Sequence, residues 1–190
     1  MLSAIEFSRK ACPLNVAARL ALGTLLVAGV TVGGASTAVA EPFDYAALPV
    51  DPNIVTDSTA YSAAPALLNP DGQPGVATVF THRDNTREVS DTILVLADPV
   101  AARDALQQQK SNLAAVVANQ AVQQVPVGEG GMLISGSSPG GAQSVSVLLF
   151  AQGNAVARVE FTGAPDDPAP NDFVIDYGQQ QANAIQQQLG

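Results

Sequence analysis

The chain has a single cysteine, a single histidine and no tryptophan among its 190 residues, and only eight basic residues against seventeen acidic ones. Each scarcity excludes a class of chemistry. The cysteine is Cys12, inside a segment that reads as an export signal, so the exported chain is expected to hold no thiol. Disulfides, thiol nucleophiles and cysteine metal sites are then excluded, and stability must come from an ordinary hydrophobic core. One histidine, His82, cannot build an ordinary zinc site without carboxylates, and any histidine-based triad would have to use it. The shortage of Lys and Arg argues against nucleic acid, whose phosphates reward clustered cations. It argues equally against anionic membrane surfaces.

The first forty residues carry the marks of export. Arg9, Lys10 and Arg19 lead into an apolar run over 20–32, and Ala38-Val39-Ala40 before Glu41-Pro42 is a small-x-small cleavage site. Thirteen residues interrupted by Gly23 and Gly29 are short for a bilayer, which needs about 20. Residues 1–40 are therefore expected to be a secretory signal peptide, removed by cleavage, with no stable membrane span left behind. No arginine pair precedes the run, which favours the general secretory route. The remaining 150 residues hold five basic and sixteen acidic side chains, a net charge of −11. That length supports one self-sufficient domain, and that charge a soluble monomer.

Residues 41–74 form an irregular lead-in, with six prolines that exclude a long helix or a central strand. Its frequent apolar residues, among them Leu48 and Val50, suit a segment lying across the domain, with one helical turn after Asp57-Ser58. From Gly75 onward periodicity takes over and defines a domain over 75–190. Alternation predicts strands over 75–82 and 88–97, paired as a hairpin through Arg83-Asp84-Asn85-Thr86. Asp98-Pro99 is a helix start, with Ala102, Ala105, Leu106, Gln109, Leu113 and Val116 on one mostly apolar face. A weak segment at 122–127 precedes three predicted strands at 132–134, 144–150 and 155–161. A last helix is predicted over 172–189, capped by Asn171 or Asp172. The order ββαβββα predicts an α+β fold of two layers: an antiparallel sheet of about five strands with both helices on one face. The other face of the 144–150 strand would then need a cover.

One motif invites a catalytic reading. Gly136-Ser137-Ser138-Pro139-Gly140 has the G-x-S-x-G spacing of a nucleophile elbow. The residue after the serine should donate its N–H to the oxyanion, and here that residue is Pro139, which has none. The flanks are strand, turn, strand, so the motif reads as a reversal with Pro presetting φ and Gly permitting positive φ. Asp166, Asp167 and Asp172 crowd a proline-rich connection, but no closing Glu completes a calcium loop. They read as solvated residues near a helix start. Gly128-Glu129-Gly130-Gly131 lacks the Lys-Ser/Thr of a phosphate loop, and the glutamine runs suit solvated helix faces. No catalytic, cofactor-binding or metal-ligating residue is assigned, and no cofactor is expected.

The segments LNPDGQPGVATVF, SDTILVLADPVAARDAL, MLISGSSPGG and FTGAPDDPAPNDFVIDYGQQQ resemble small exported Ala/Val-rich proteins of mycobacteria that have no assigned function. The resemblance implies secretion or cell-envelope residence and supplies no site residues. The expected function is that of an exported, non-enzymatic protein binding an envelope partner or an apolar ligand. The alternative is a secreted serine hydrolase built on Ser138 and His82.

Overall fold

The computed structural model describes residues 43–56 and 59–190; the expected signal peptide over 1–40 and the pair Asp57-Ser58 lie outside the described residues. In chain order the described residues form β1 (Tyr61–Ala63), β2 (Leu67–Leu68), β3 (Gly75–His82), β4 (Glu88–Val95), α1 (Pro99–Ser111), β5 (Ala118–Gln124), β6 (Glu129–Ser137), β7 (Ser144–Gln152), β8 (Ala155–Gly163) and α2 (Asn171–Leu189). All strand pairs are antiparallel, in the order β1-β3-β4-β8-β7-β6-β5, with β2 also pairing with β3. The class is α+β, but the sheet has eight strands where about five were expected. No helix among the described residues is long and apolar enough to cross a membrane.

The two helices lie on opposite faces of the sheet, which corrects the two-layer expectation. β7 shows why. Its sequence SVSVLLFAQ is buried from Ser144 to Ala151, so both of its faces meet a core. Val145, Val147, Leu149 and Ala151 pack with Ala102 and Leu106 of α1. Leu148 and Phe150 pack with Val174, Tyr177 and Ile185 of α2. A strand with helices on both sides reads as a continuous apolar run, whereas alternation marks one dry face and one wet one. The result is three layers, with the sheet in the middle.

The lead-in supplies part of what was missing from the strand count. β1 pairs with His82, Thr81 and Phe80, and β2 with Ala77 and Val76, so both lie along β3 at the sheet edge. Strands of three and two residues suit a proline-rich segment because an edge strand needs donors on one side only. Pro52 and Pro70 open short 3-10 turns. Leu48 is fully buried in the α2-side core. Gln181 of α2 fixes this stretch from both ends of its amide. Its Nε2 donates to Leu48 O and its Oε1 accepts from Val50 N, each at 2.8 Å.

β5 lies at the opposite edge, exposed along almost its whole length, where no core imprints an apolar alternation. α1 begins as expected: Asp98 accepts the N–H groups of Val100 and Ala101 at 2.9 Å with Pro99 behind it. α2 does not. Its cap position is Pro170, without a side-chain hydrogen bond, and Asp172 sits in the first turn accepting Phe173 N.

Candidate functional site

On the face it covers, α1 packs over β7 and β8 and leaves the β4 side of the sheet bare. There the strand side chains Ser90, Thr92 and Leu94 are half-buried. The 3-10 turn Pro70–Gly72 rises on the far side of this bare strip. Between turn and helix lies a groove of about 500 Å³, the size of a small-molecule site.

Strand register builds its floor. Ser90 of β4 stands opposite Glu160 of β8, and Thr92 opposite Arg158. Arg158 and Glu160 are two residues apart on one strand, hence on the same face. The Arg158 guanidinium donates to Glu160 Oε2 at 2.8 Å. One wall is the helix, with Ala105, Gln108, Gln109 and Asn112; the other is the turn, with Pro70, Asp71 and Gln73. The Oε1 of Gln109 is shielded and has no hydrogen-bond partner among the described residues. A buried acceptor left without a donor carries a desolvation penalty of about 1–3 kcal/mol.

This groove was not anticipated from the sequence. Gln109 was the available signal. It falls on the apolar stripe of α1, one turn from Leu106, where an amide has no place in a closed core.

The residues singled out from the sequence lie elsewhere. Ser138 sits in the β6–β7 loop, where Gly141 N–H donates to its carbonyl at 2.8 Å and Gln143 N–H to its Oγ at 3.2 Å. Gly141 takes the positive φ, +69°. His82 ends β3. Its Nδ1 lies 2.6 Å from Asp84 Oδ1, and its ring stands edge-on to Tyr61 at 5.2 Å. Hydrogen bonds from His82 and Thr86 hold the Asp84 carboxyl well below the ordinary carboxylate range. Between β3 and β6 lie β4, β8 and β7. His82 and Ser138 are thus four strand spacings apart, roughly 19 Å at about 4.8 Å each. The structure does not bring the hydrolase pair together.

The acidic connection is partly tied down. Asp167 takes both Arg87 Nε, at 3.0 Å, and the Arg87 terminal nitrogen, and its carbonyl accepts from Ser144 Oγ. The Asp167 hydrogen bond raises the Arg87 pKa further. Among the described residues, no group of three or more His, Cys, Asp or Glu is placed to hold a metal ion.

Comparison with known proteins bears on the fold alone. No known protein family matches the chain, and no curated protein matches it. Among solved structures, it is similar to the extracellular domain of PknH from Mycobacterium tuberculosis. The likeness covers 74% of this chain and 92% of that one, at 11% identity and a TM-score of 0.50. The chain thus shares its fold with that domain.

Proposed function

We propose that this protein is an exported, non-enzymatic binding domain, retained in the cell envelope or secreted, whose ligand is a neutral, hydroxyl-rich molecule seated in the α1 groove. One observation carries the reading. The groove is lined by amides and hydroxyls, while its single cation, Arg158, is already neutralised by Glu160. Side-chain amides and hydroxyls each donate and accept, so the lining suits a ligand with alternating donors and acceptors and no net charge. An anion would meet Asp71, Glu160 and a chain of net negative charge. Leu94, Ala105 and Pro70 offer the apolar contact that the carbon skeleton of a sugar or polyol needs.

The expectation of an apolar ligand rests on an uncovered face of β7, and both faces of that strand are covered. The polar groove takes its place as the reading's support.

An amide-resolved titration of the purified exported protein with neutral oligosaccharides, and separately with short uncharged peptides, tests the proposal. Saccharide-induced shifts should cluster at Ser90, Thr92, Gln108, Gln109 and Arg158. Thr92→Trp, which fills the floor, should abolish them while leaving the fold intact. Shifts centred elsewhere, or peptide binding without saccharide binding, would sink the assignment.

A further inference from the structure

Directly behind the groove floor, β4 carries a fully buried carboxylic acid. Asp91 alternates with Ser90 and Thr92 and so faces the α2-side core, among Val89, Ile93, Val159 and Tyr177. The Tyr177 hydroxyl oxygen lies 2.9 Å from Asp91 Oδ2 and 2.9 Å from the carbonyl oxygen of Val50. A phenol has one proton, and a backbone carbonyl only accepts. Both contacts can be hydrogen bonds together only if Tyr177 donates to Val50 and Asp91 donates to Tyr177. The second donation requires the acid to be protonated. With Asp91 ionised, the phenol proton turns to the carboxylate, and Val50 O is left facing an oxygen lone pair.

We propose that Asp91 and Tyr177 form a proton-operated clamp on the N-terminal lead-in, closed on Val50 while Asp91 is protonated and open when it is ionised. The surroundings of the acid favour the closed state at mild acidity. Burial pushes the Asp91 carboxyl up to about 7, and only the Tyr177 hydrogen bond pulls the other way. β3 and β8 present the uncharged Thr78 and Val159 opposite it. From α2 comes Tyr177, whose own pKa is raised by burial and then by Asp91, and from the lead-in comes Asp51, acting on Tyr177. Among the described residues, neither the Oδ1 of Asp91 nor the Thr78 hydroxyl on the strand opposite has a hydrogen-bond partner. The clamped segment runs on through β1 and β2 into the Pro70–Gly72 wall of the groove, which places the clamp upstream of the proposed site.

Hydrogen exchange of the lead-in amides over 43–56, corrected for intrinsic rates at pH 5.5 and pH 8.5, reads the clamp directly. In the wild type, protection should fall about tenfold at the higher pH, the equivalent of one hydrogen bond. Asp91→Asn still donates to Tyr177 and cannot ionise, so its protection should be the same at both values. Tyr177→Phe should lose the protection at both. Wild-type protection that ignores pH would overturn the proposal, as would an Asp91→Asn variant that keeps the wild-type pH dependence. If Tyr177→Phe does not fold, the wild type against Asp91→Asn decides alone.

Discussion

Gly178 of α2 stands directly against Leu148 of β7. A Cβ added at Gly178 would lie 2.3 Å from Leu148 Cδ2 and 3.0 Å from Val127 Cγ1. The glycine is what lets helix and strand approach so closely, in the middle of a helix where it costs about 1 kcal/mol against alanine.

Gly178→Ala should therefore destabilise the fold even though alanine is the better helix former. The overpacking of about 1–3 kcal/mol outweighs the propensity gain of about 1 kcal/mol, for a net loss of up to about 2 kcal/mol. Leu148→Ala in the same chain should recover part of the strain. Denaturant unfolding of both single variants and the double variant measures the coupling. A stabilised Gly178→Ala would show that the contact relaxes freely.

Gln181 ties the lead-in to α2 through both ends of its amide. Gln181→Leu keeps the size of the side chain but leaves Leu48 O and Val50 N without these partners. Unpaired buried groups of this kind cost about 1–3 kcal/mol each, so a loss of about 2–6 kcal/mol is expected. Proteolysis should then begin within 43–56 before the sheet yields. Cleavage starting elsewhere, at unchanged stability, would mean that the segment is held by other contacts.

These positions also show what could be read from the sequence and what could not. β3, β4, β8 and both helices announce themselves, because each repeats apolar residues at the period of its own backbone, and β7 does so as a short apolar run. β5 does not, since ANQAVQQ is an exposed edge and nothing forces its residues to alternate. β1 and β2 are masked by prolines that an edge strand tolerates. The two-faced burial of β7 was visible as LLFA, yet an apolar run alone does not say which helix covers which side. Only the pairing of Val147 with the α1 core and Leu148 with the α2 core settles that. The groove was hidden for a related reason. Its floor joins β4 and β8, far apart in sequence and adjacent only through the pairing of Thr92 with Arg158.

The loop that resembles a nucleophile elbow should behave as a turn. Gly141 has φ +69°, while Gly140 has no positive φ and nothing within 4 Å of an added Cβ. Gly141→Ala should cost about 1–2 kcal/mol, the penalty of a left-handed backbone for an L-residue, and Gly140→Ala close to nothing. Thermal unfolding of the two variants distinguishes them. Equal effects would deny Gly141 its special conformation.

Asp91→Asn should separate from the wild type only as pH rises. An unfolded aspartate has a pKa near 3.9, and burial lifts the folded one to about 7. Between those values the folded state binds more protons than the unfolded, so this group's contribution to stability falls with increasing pH. It is fully present below about pH 4, declines through the interval and is lost above about 7. Three pKa units correspond to about 4 kcal/mol. Paired carboxylates run in the opposite sense. The depressed pKa of Asp84 gives stability that is present above the ordinary carboxylate range and lost as pH falls. The raw stability curve therefore mixes the two trends, and the difference between wild type and Asp91→Asn isolates the buried acid. Asparagine can donate to Tyr177 as the neutral acid does, so the two proteins should unfold at similar denaturant concentrations near pH 4. By pH 8 the variant should be the more stable by an amount approaching about 4 kcal/mol. Unfolding at half-unit steps from pH 4 to pH 8.5 traces the difference. A flat difference would mean that Asp91 titrates alike in the folded and unfolded chains, and the neutral acid at the centre of the core would have to be abandoned.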